Sequence, residues 1–149
     1  MKELKFTIPL APVTKKNSQR IAYRGQYSKI LPSKAYVQYE KDAGYFLPDR
    51  GKNHTGPCEV VCLFYMPTKR RVDLTNLLEA IDDVLVKYKV LHDDNSEIIR
   101  SHDGSRVLYD KDRPRTEVTI RFLRSGTQQG GRLESKVRNQ DCRRRYKRI

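Results

Sequence analysis

Two short stretches of this 149-residue sequence gather groups that could do chemistry, one setting a carboxylate among cations and the other an acidic turn. The first is Lys69-Arg70-Arg71-Val72-Asp73-Leu74-Thr75-Asn76, and the second is His92-Asp93-Asp94-Asn95-Ser96-Glu97. Glu79, Asp82 and Asp83 lie between them. Hard oxygen donors beside Lys and Arg are what magnesium-assisted hydrolysis of a phosphodiester needs. Magnesium takes one or two carboxylates, keeps several waters and fills its shell with phosphate oxygen. The ion polarises the phosphate and helps make hydroxide from water, while the cations hold the polyanion. A protein that only bound nucleic acid would gain nothing from carboxylates near phosphate, since without a metal they repel it.

The elements that must position these residues follow from hydropathy. Leu4, Phe6 and Ile8 alternate with polar neighbours and predict a strand ending at Pro9. A polar loop containing Lys15, Lys16 and Asn17 follows, then a hairpin in which Ile21–Tyr23 and Tyr27–Leu31 flank Arg24-Gly25-Gln26. Ser33 can cap a helix running to about Leu47, with Tyr36, Tyr39, Ala43 and Phe46 on one face. Val60, Cys62, Phe64 and Met66 mark a buried strand. Leu74, Leu77, Leu78, Ile81, Val84, Leu85 and Tyr88 give the strongest helical period, over about 74–88. Two further strands are expected near 97–108 and 117–123. The order β(ββ)αβαββ predicts a single small α+β domain, a mixed sheet with two main helices packed on it.

Asp73 then falls where the second helix begins, and Asp93-Asp94 in the turn that leaves it. At 100° per residue from Asp73, Asn76 lies at about 300°, Asp83 at about 280° and Glu79 at about 240°, opposite an apolar stripe near about 80°. Taken singly, each residue has a plainer explanation. Asp73 reads as an N-cap, Asp93-Asp94-Asn95-Ser96 as an Asx-type turn, Asp82 and Asp83 as solvated helix charges, and Lys69-Arg70-Arg71 as a solubilising run. His54, His92 and His102 have no ligand spacing.

Composition bounds the partner. The formal net charge is +13, and hydrophobic residues make up 37% against 33% charged, so one modest core and a polyanionic partner are expected. The excess is uneven: residues 124–149 carry nine Lys and Arg against Glu134 and Asp141, a net +7, and leave +6 for residues 1–123. Ser125-Gly126-Thr127-Gln128-Gln129-Gly130-Gly131 has linker composition, so 1–123 is read as the folded domain and 124–149 as a basic, disordered tail. No run of about 18 apolar residues is present, which excludes a transmembrane helix and a membrane partner of that kind. The N-terminus lacks the apolar run of a secretory signal. Cys58, Cys62 and Cys142 read as reduced thiols, so a cytoplasmic, nucleoid-associated location is expected.

Together these elements resemble the RusA-type Holliday junction resolvases, small endonucleases common on prophages. The resemblance covers most of residues 5–123. It is carried by Phe6-Thr7-Ile8-Pro9, Pro12-Val13-Thr14-Lys15-Lys16-Asn17, Met66-Pro67, Arg70-Arg71-Val72-Asp73-Leu74-Thr75-Asn76-Leu77, Ala80-Ile81-Asp82-Asp83-Val84-Leu85 and Asp93-Asp94-Asn95-Ser96-Glu97-Ile98. It implies that Asp73 and Asp94 are catalytic, metal-binding carboxylates. Many members carry Asp-x-Asp-Asn, but the second aspartate is Thr75 here; Asp83 is the substitute candidate for a third ligand, with Asp93 and Glu79 after it. Glu79 stands where some members have a helix lysine, and Val72 where some have arginine. Asn76, Thr75 and Asp93 are expected to support the ligands, and Lys15, Lys16, Asn17, Lys69, Arg70 and Arg71 to hold DNA. The implied activity is Mg2+-dependent cleavage of four-way DNA junctions by a homodimer in recombination and repair, with Mn2+ as a substitute ion. Two rival readings are a non-catalytic nucleic-acid binder, suggested by Thr75, and a nuclease acting on flaps or forks.

Overall fold

A computed structural model describes residues 2–15, 20–31 and 33–123. Strand β1 spans Glu3–Ile8, β2 Arg20–Arg24, β3 Tyr27–Leu31, β4 Cys58–Met66, β5 Ile99–Ser101, β6 Arg106–Tyr109 and β7 Arg115–Phe122; helix α1 spans Lys34–Ala43 and α2 Leu74–Lys87. The expected α+β architecture is present. β7 pairs antiparallel with both β1 and β4, while β5 and β6 pair parallel with the other edge of β4. The link from β4 through α2 to β5 is therefore a crossover, and it brings the loops flanking α2 back to the sheet.

Register explains why one face is buried. Leu4, Ile120 and Val60 line up across β1, β7 and β4, followed by Phe6, Val118 and Cys62, and then Ile8, Thr116 and Phe64. These rungs stack period-2 apolar side chains on one face. Tyr39 and Ala43 of α1 and Leu77, Leu78, Ile81, Val84 and Leu85 of α2 belong to the same core, closed by Val90, Leu91, Ile98 and Ile99. Burial pushes the Cys58 thiol up to about 11 and the Cys62 thiol higher still, which keeps both as inert packing groups.

Ser33 caps α1 as expected, its side chain accepting from the Tyr36 N–H at 3.1 Å. The helix stops at Ala43, earlier than predicted, and passes into a 3-10 turn over Gly44–Phe46. Leu47 must be extended because Pro48 follows, and Phe46, expected on the buried face, ends 43% exposed. The β2–β3 hairpin forms a separate two-stranded ribbon turning on Gly25 at φ 63°.

A larger correction concerns the single strand expected near 97–108. It is two short strands separated by His102-Asp103-Gly104-Ser105, with Gly104 at φ 89°. Side chains take over the sheet bonding across the gap. The Cys62 N–H donates to Ser105 Oγ at 3.0 Å, and His102 Nδ1 lies 2.9 Å from the Val60 carbonyl oxygen. The basic tail expected over 124–149 lies outside the described residues, and so do Lys16 and Asn17.

Candidate active site

Asp73 occupies the N-cap position of α2 with extended backbone, and its carbonyl accepts from the N–H groups of Asn76 and Leu77. Its carboxylate does not cap the helix. Instead Asp73 Oδ2 accepts from Asn76 Nδ2 at 3.2 Å, and the side chain stays at the surface. The plain N-cap reading therefore covers the backbone and leaves the carboxylate available. Thr75 is exposed on the same first turn, and Lys69, Arg70 and Arg71 are exposed just before it. Lys69 Nζ sits 5.2 Å from the centroid of the Tyr109 ring, a cation–π contact that leaves the ammonium open to anions.

The second acidic turn divides its labour. Asp93 accepts from the Asp94 N–H at 2.8 Å and from Asn95 Nδ2 at 3.0 Å, while Asn95 Oδ1 accepts from the Glu97 N–H at 3.0 Å. Asp93 and Asn95 thus build an Asx-type turn that presents Asp94. The bond from the Asp94 N–H holds the Asp93 carboxyl below its ordinary value. The Asp94 carboxyl is raised, first by burial and then by Asp93 and the nearby charge of Asp83.

Asp83 lies on the third turn of α2 and pairs with Lys15 Nζ at 2.9 Å, both half-buried. The bond to Asp83 raises the Lys15 ammonium, against the effect of burial, and the charges of Glu79 and Glu40 add to it. Lys15 Nζ also lies 6.0 Å from the Tyr36 ring centroid. The loop after β1 is thereby tied to α2 beside the acidic turn.

Asp82 is buried, not solvated as its helix position suggested. Its Oδ2 lies 2.9 Å from His102 Nε2. The Val60 carbonyl can only accept, so His102 Nδ1 carries a proton, and one further proton lies between Nε2 and Asp82. Burial raises the Asp82 carboxyl, and the bond to Asp82 raises His102. Near pH 5–6 the folded pair and the unfolded chain hold the same number of protons. As pH climbs past the ordinary histidine value, the unfolded chain loses its proton and the folded pair keeps it, so stability falls until the raised His102 value is passed. Asp82→Asn supplies an amide donor to a neutral Nε2 and should remove that alkaline decline. Urea unfolding of both proteins at pH 6 and pH 9 checks this; equal declines would contradict it.

The comparison with protein families decides the relationship. The family described as endodeoxyribonuclease RusA matches residues 9–121. The chain belongs to the RusA family. It is accordingly an endonuclease acting on DNA, and no curated protein matches it.

RusA nucleases depend on a metal, and the donors here suit one in kind. Asp73, Asp83 and Asp94 offer hard oxygens, and the carboxylates around Asp94 raise its proton affinity, a repulsion that a cation would relieve. The spacing is another matter. Asp83 lies ten residues beyond Asp73 on one helix, roughly 15 Å along the axis, too far for both to reach one ion. Among the described residues, no three His, Cys, Asp or Glu side chains form a group able to hold a metal. The fold thus brings Asp83, Asp93 and Asp94 into electrostatic reach toward the C-terminal end of α2 and leaves Asp73, Thr75 and Asn76 at its N-terminal end. The Asp82–His102 pair escaped sequence reasoning, because its partners are far apart in the chain and neither fits a motif.

Proposed function

We propose that this chain works as a homodimer that resolves four-way DNA junctions, cutting phosphodiesters with Mg2+ or, in its place, Mn2+, during recombination and repair. The observation that carries the reading is the gathering of Asp93, Asp94 and Asp83, against their mutual repulsion, in a protein of net charge +13. In a two-fold dimer, Asp94 and Asp83 of one protomer would meet Asp73 of its partner, which offsets the separation imposed by α2. An ion bound there would neutralise charge on the scissile phosphate and activate water for attack.

The protein's own groups do the rest. Asn76 fixes the Asp73 carboxylate through its amide, and Asp93 shapes the turn that offers Asp94. Thr75 supplies a hydroxyl at the position where many RusA members have a carboxylate. Lys69, Arg70 and Arg71 hold phosphates on the Asp73 side and Lys15 on the Asp83 side, and Lys16 and Asn17 add to DNA binding. Two sites related by a two-fold axis would address two strands of a junction with the same symmetry.

A nicking assay with Mg2+ or Mn2+ on four-way junction, flap and linear duplex at matched salt tests this. Preferential cutting of the junction is expected. Preference for the flap would move the substrate, and binding without cutting would favour the non-catalytic reading that Thr75 suggests. Deleting 124–149 removes a net +7. Because each cation that neutralises a phosphate adds to the salt dependence, the shortened chain should bind more weakly with a flatter salt slope and still cut. Loss of cutting by a folded, shortened chain would contradict that.

A further inference from the structure

A cleft of about 240 Å³ adjoins the Asp73 end of α2. Pro12, Val13 and Thr14 of the loop after β1 form one wall, Ala35 in the first turn of α1 another, and Met66 and Val72 a third, with Ser33 at its edge. Val72 immediately precedes Asp73, and Lys15 immediately follows Thr14. The cleft is thus continuous in sequence with a carboxylate and a cation that the proposed function assigns to the scissile strand.

Its chemistry restricts the occupant. No charged side chain lines it, so it offers a phosphate or a metal ion nothing to pair with. The walls present polar and apolar surface in about equal measure, and Thr14 is only 4% exposed with no hydrogen-bond partner for its Oγ1 among the described residues. A buried hydroxyl is normally satisfied, and this one lines a recess. The Ser33 oxygen accepts from the Tyr36 N–H and retains its own proton for donation. A small flat body with polar edges meets these walls: apolar faces against Pro12, Met66 and Val72, and edge groups toward the Ser33 hydroxyl and toward the Thr14 hydroxyl, which a turn of its side chain would uncover. The volume is below that of sites for drug-sized ligands and suits one ring system.

Resting on the nuclease reading, we propose that this cleft receives an unstacked nucleobase of the strand to be cut, beside the scissile phosphate, and so helps to choose the cleavage position. Enzymes that act on branched or distorted DNA meet bases whose unstacking cost is already reduced. At a branch point the stack is interrupted, and a base can leave it for a pocket that satisfies its edge.

The test uses the full chain and four-way junctions carrying 2-aminopurine at successive positions around the branch point, at saturating protein in EDTA so that nothing is cut. The lining holds no aromatic ring to quench the probe, so fluorescence should rise severalfold at one position. Ala35→Leu fills the cleft from an exposed helical position and should reduce that rise at least threefold at equal saturation, with melting confirming the fold. Thr14→Val keeps the shape and removes the hydroxyl. With Mg2+ it should flatten the distribution of cut positions on a mobile junction while total cutting stays within a few-fold. A bound wild type that gives no rise, or a rise unchanged in Ala35→Leu together with cut positions unchanged in Thr14→Val, overturns the proposal and leaves the nuclease reading standing. A rise that Ala35→Leu suppresses in a protein that never cuts with Mg2+ or Mn2+ overturns the nuclease reading and leaves base capture standing.

Discussion

Asp94→Asn and, separately, Asp73→Asn are expected to lower junction cutting roughly a thousandfold, beyond the ~10–100-fold that follows loss of a group merely supporting a metal ligand. Binding to the junction should persist, because each change removes a negative charge from a surface that meets phosphate. For Asp94→Asn the argument goes further. Its carboxyl is raised by burial, by Asp93 and by Asp83, so a neutral amide relieves repulsion in the free protein. Thermal melting without metal should therefore show Asp94→Asn at least as stable as the wild type. A variant that lost activity together with stability would point to a structural role. Calorimetry with Mn2+ gives a readout independent of turnover, and weakened ion binding is expected in both variants.

Mixing the two inactive proteins should restore cutting. In a site built across a two-fold axis, a mixed dimer of Asp73→Asn and Asp94→Asn concentrates both changes in one site and leaves the other whole. Random exchange makes half of the dimers mixed, so about a quarter of the wild-type rate is expected after co-refolding. A site held within one chain would give no recovery, because every protomer would lack one carboxylate. The α2 geometry is what makes the experiment worth doing: roughly 15 Å of helix separates the turn bearing Asp83 from Asp73. Measuring junction cleavage across mixing ratios, with sedimentation to verify the dimer, decides between the two arrangements.

Much of this was legible because the period of the chain is regular where burial is one-sided. The α2 stripe and the β4 alternation each have a single solution, and the RusA resemblance rests on loops those elements anchor. Ser33 as a cap and Asp93-Asp94 as a turn could be read locally, since their partners lie within three residues. Non-local pairings were not legible. Asp82 lies at the edge of the apolar stripe, where a charge is ordinarily solvated, and only the return of His102 from beyond the crossover explains its burial. The break in the 97–108 strand had the same origin. Apolar residues stand only at its two ends, Ile98-Ile99 and Val107-Leu108, and both pieces stay on β4 because His102 and Ser105 replace backbone groups opposite Val60 and Cys62. Thr14 and the cleft were hidden for a similar reason, being assembled from three separated segments.

The broken margin formed by β5 and β6 has a consequence for how copies of this protein can meet. A long, flat sheet margin is a template on which another chain can add a strand and start polymerising. Here the run is cut into pieces of three and four residues, and two of the β4 backbone groups that a foreign strand would seek are already occupied by side chains. Self-association along that side is discouraged, which leaves a closed, symmetric pairing through other surfaces as the safer route to an assembly.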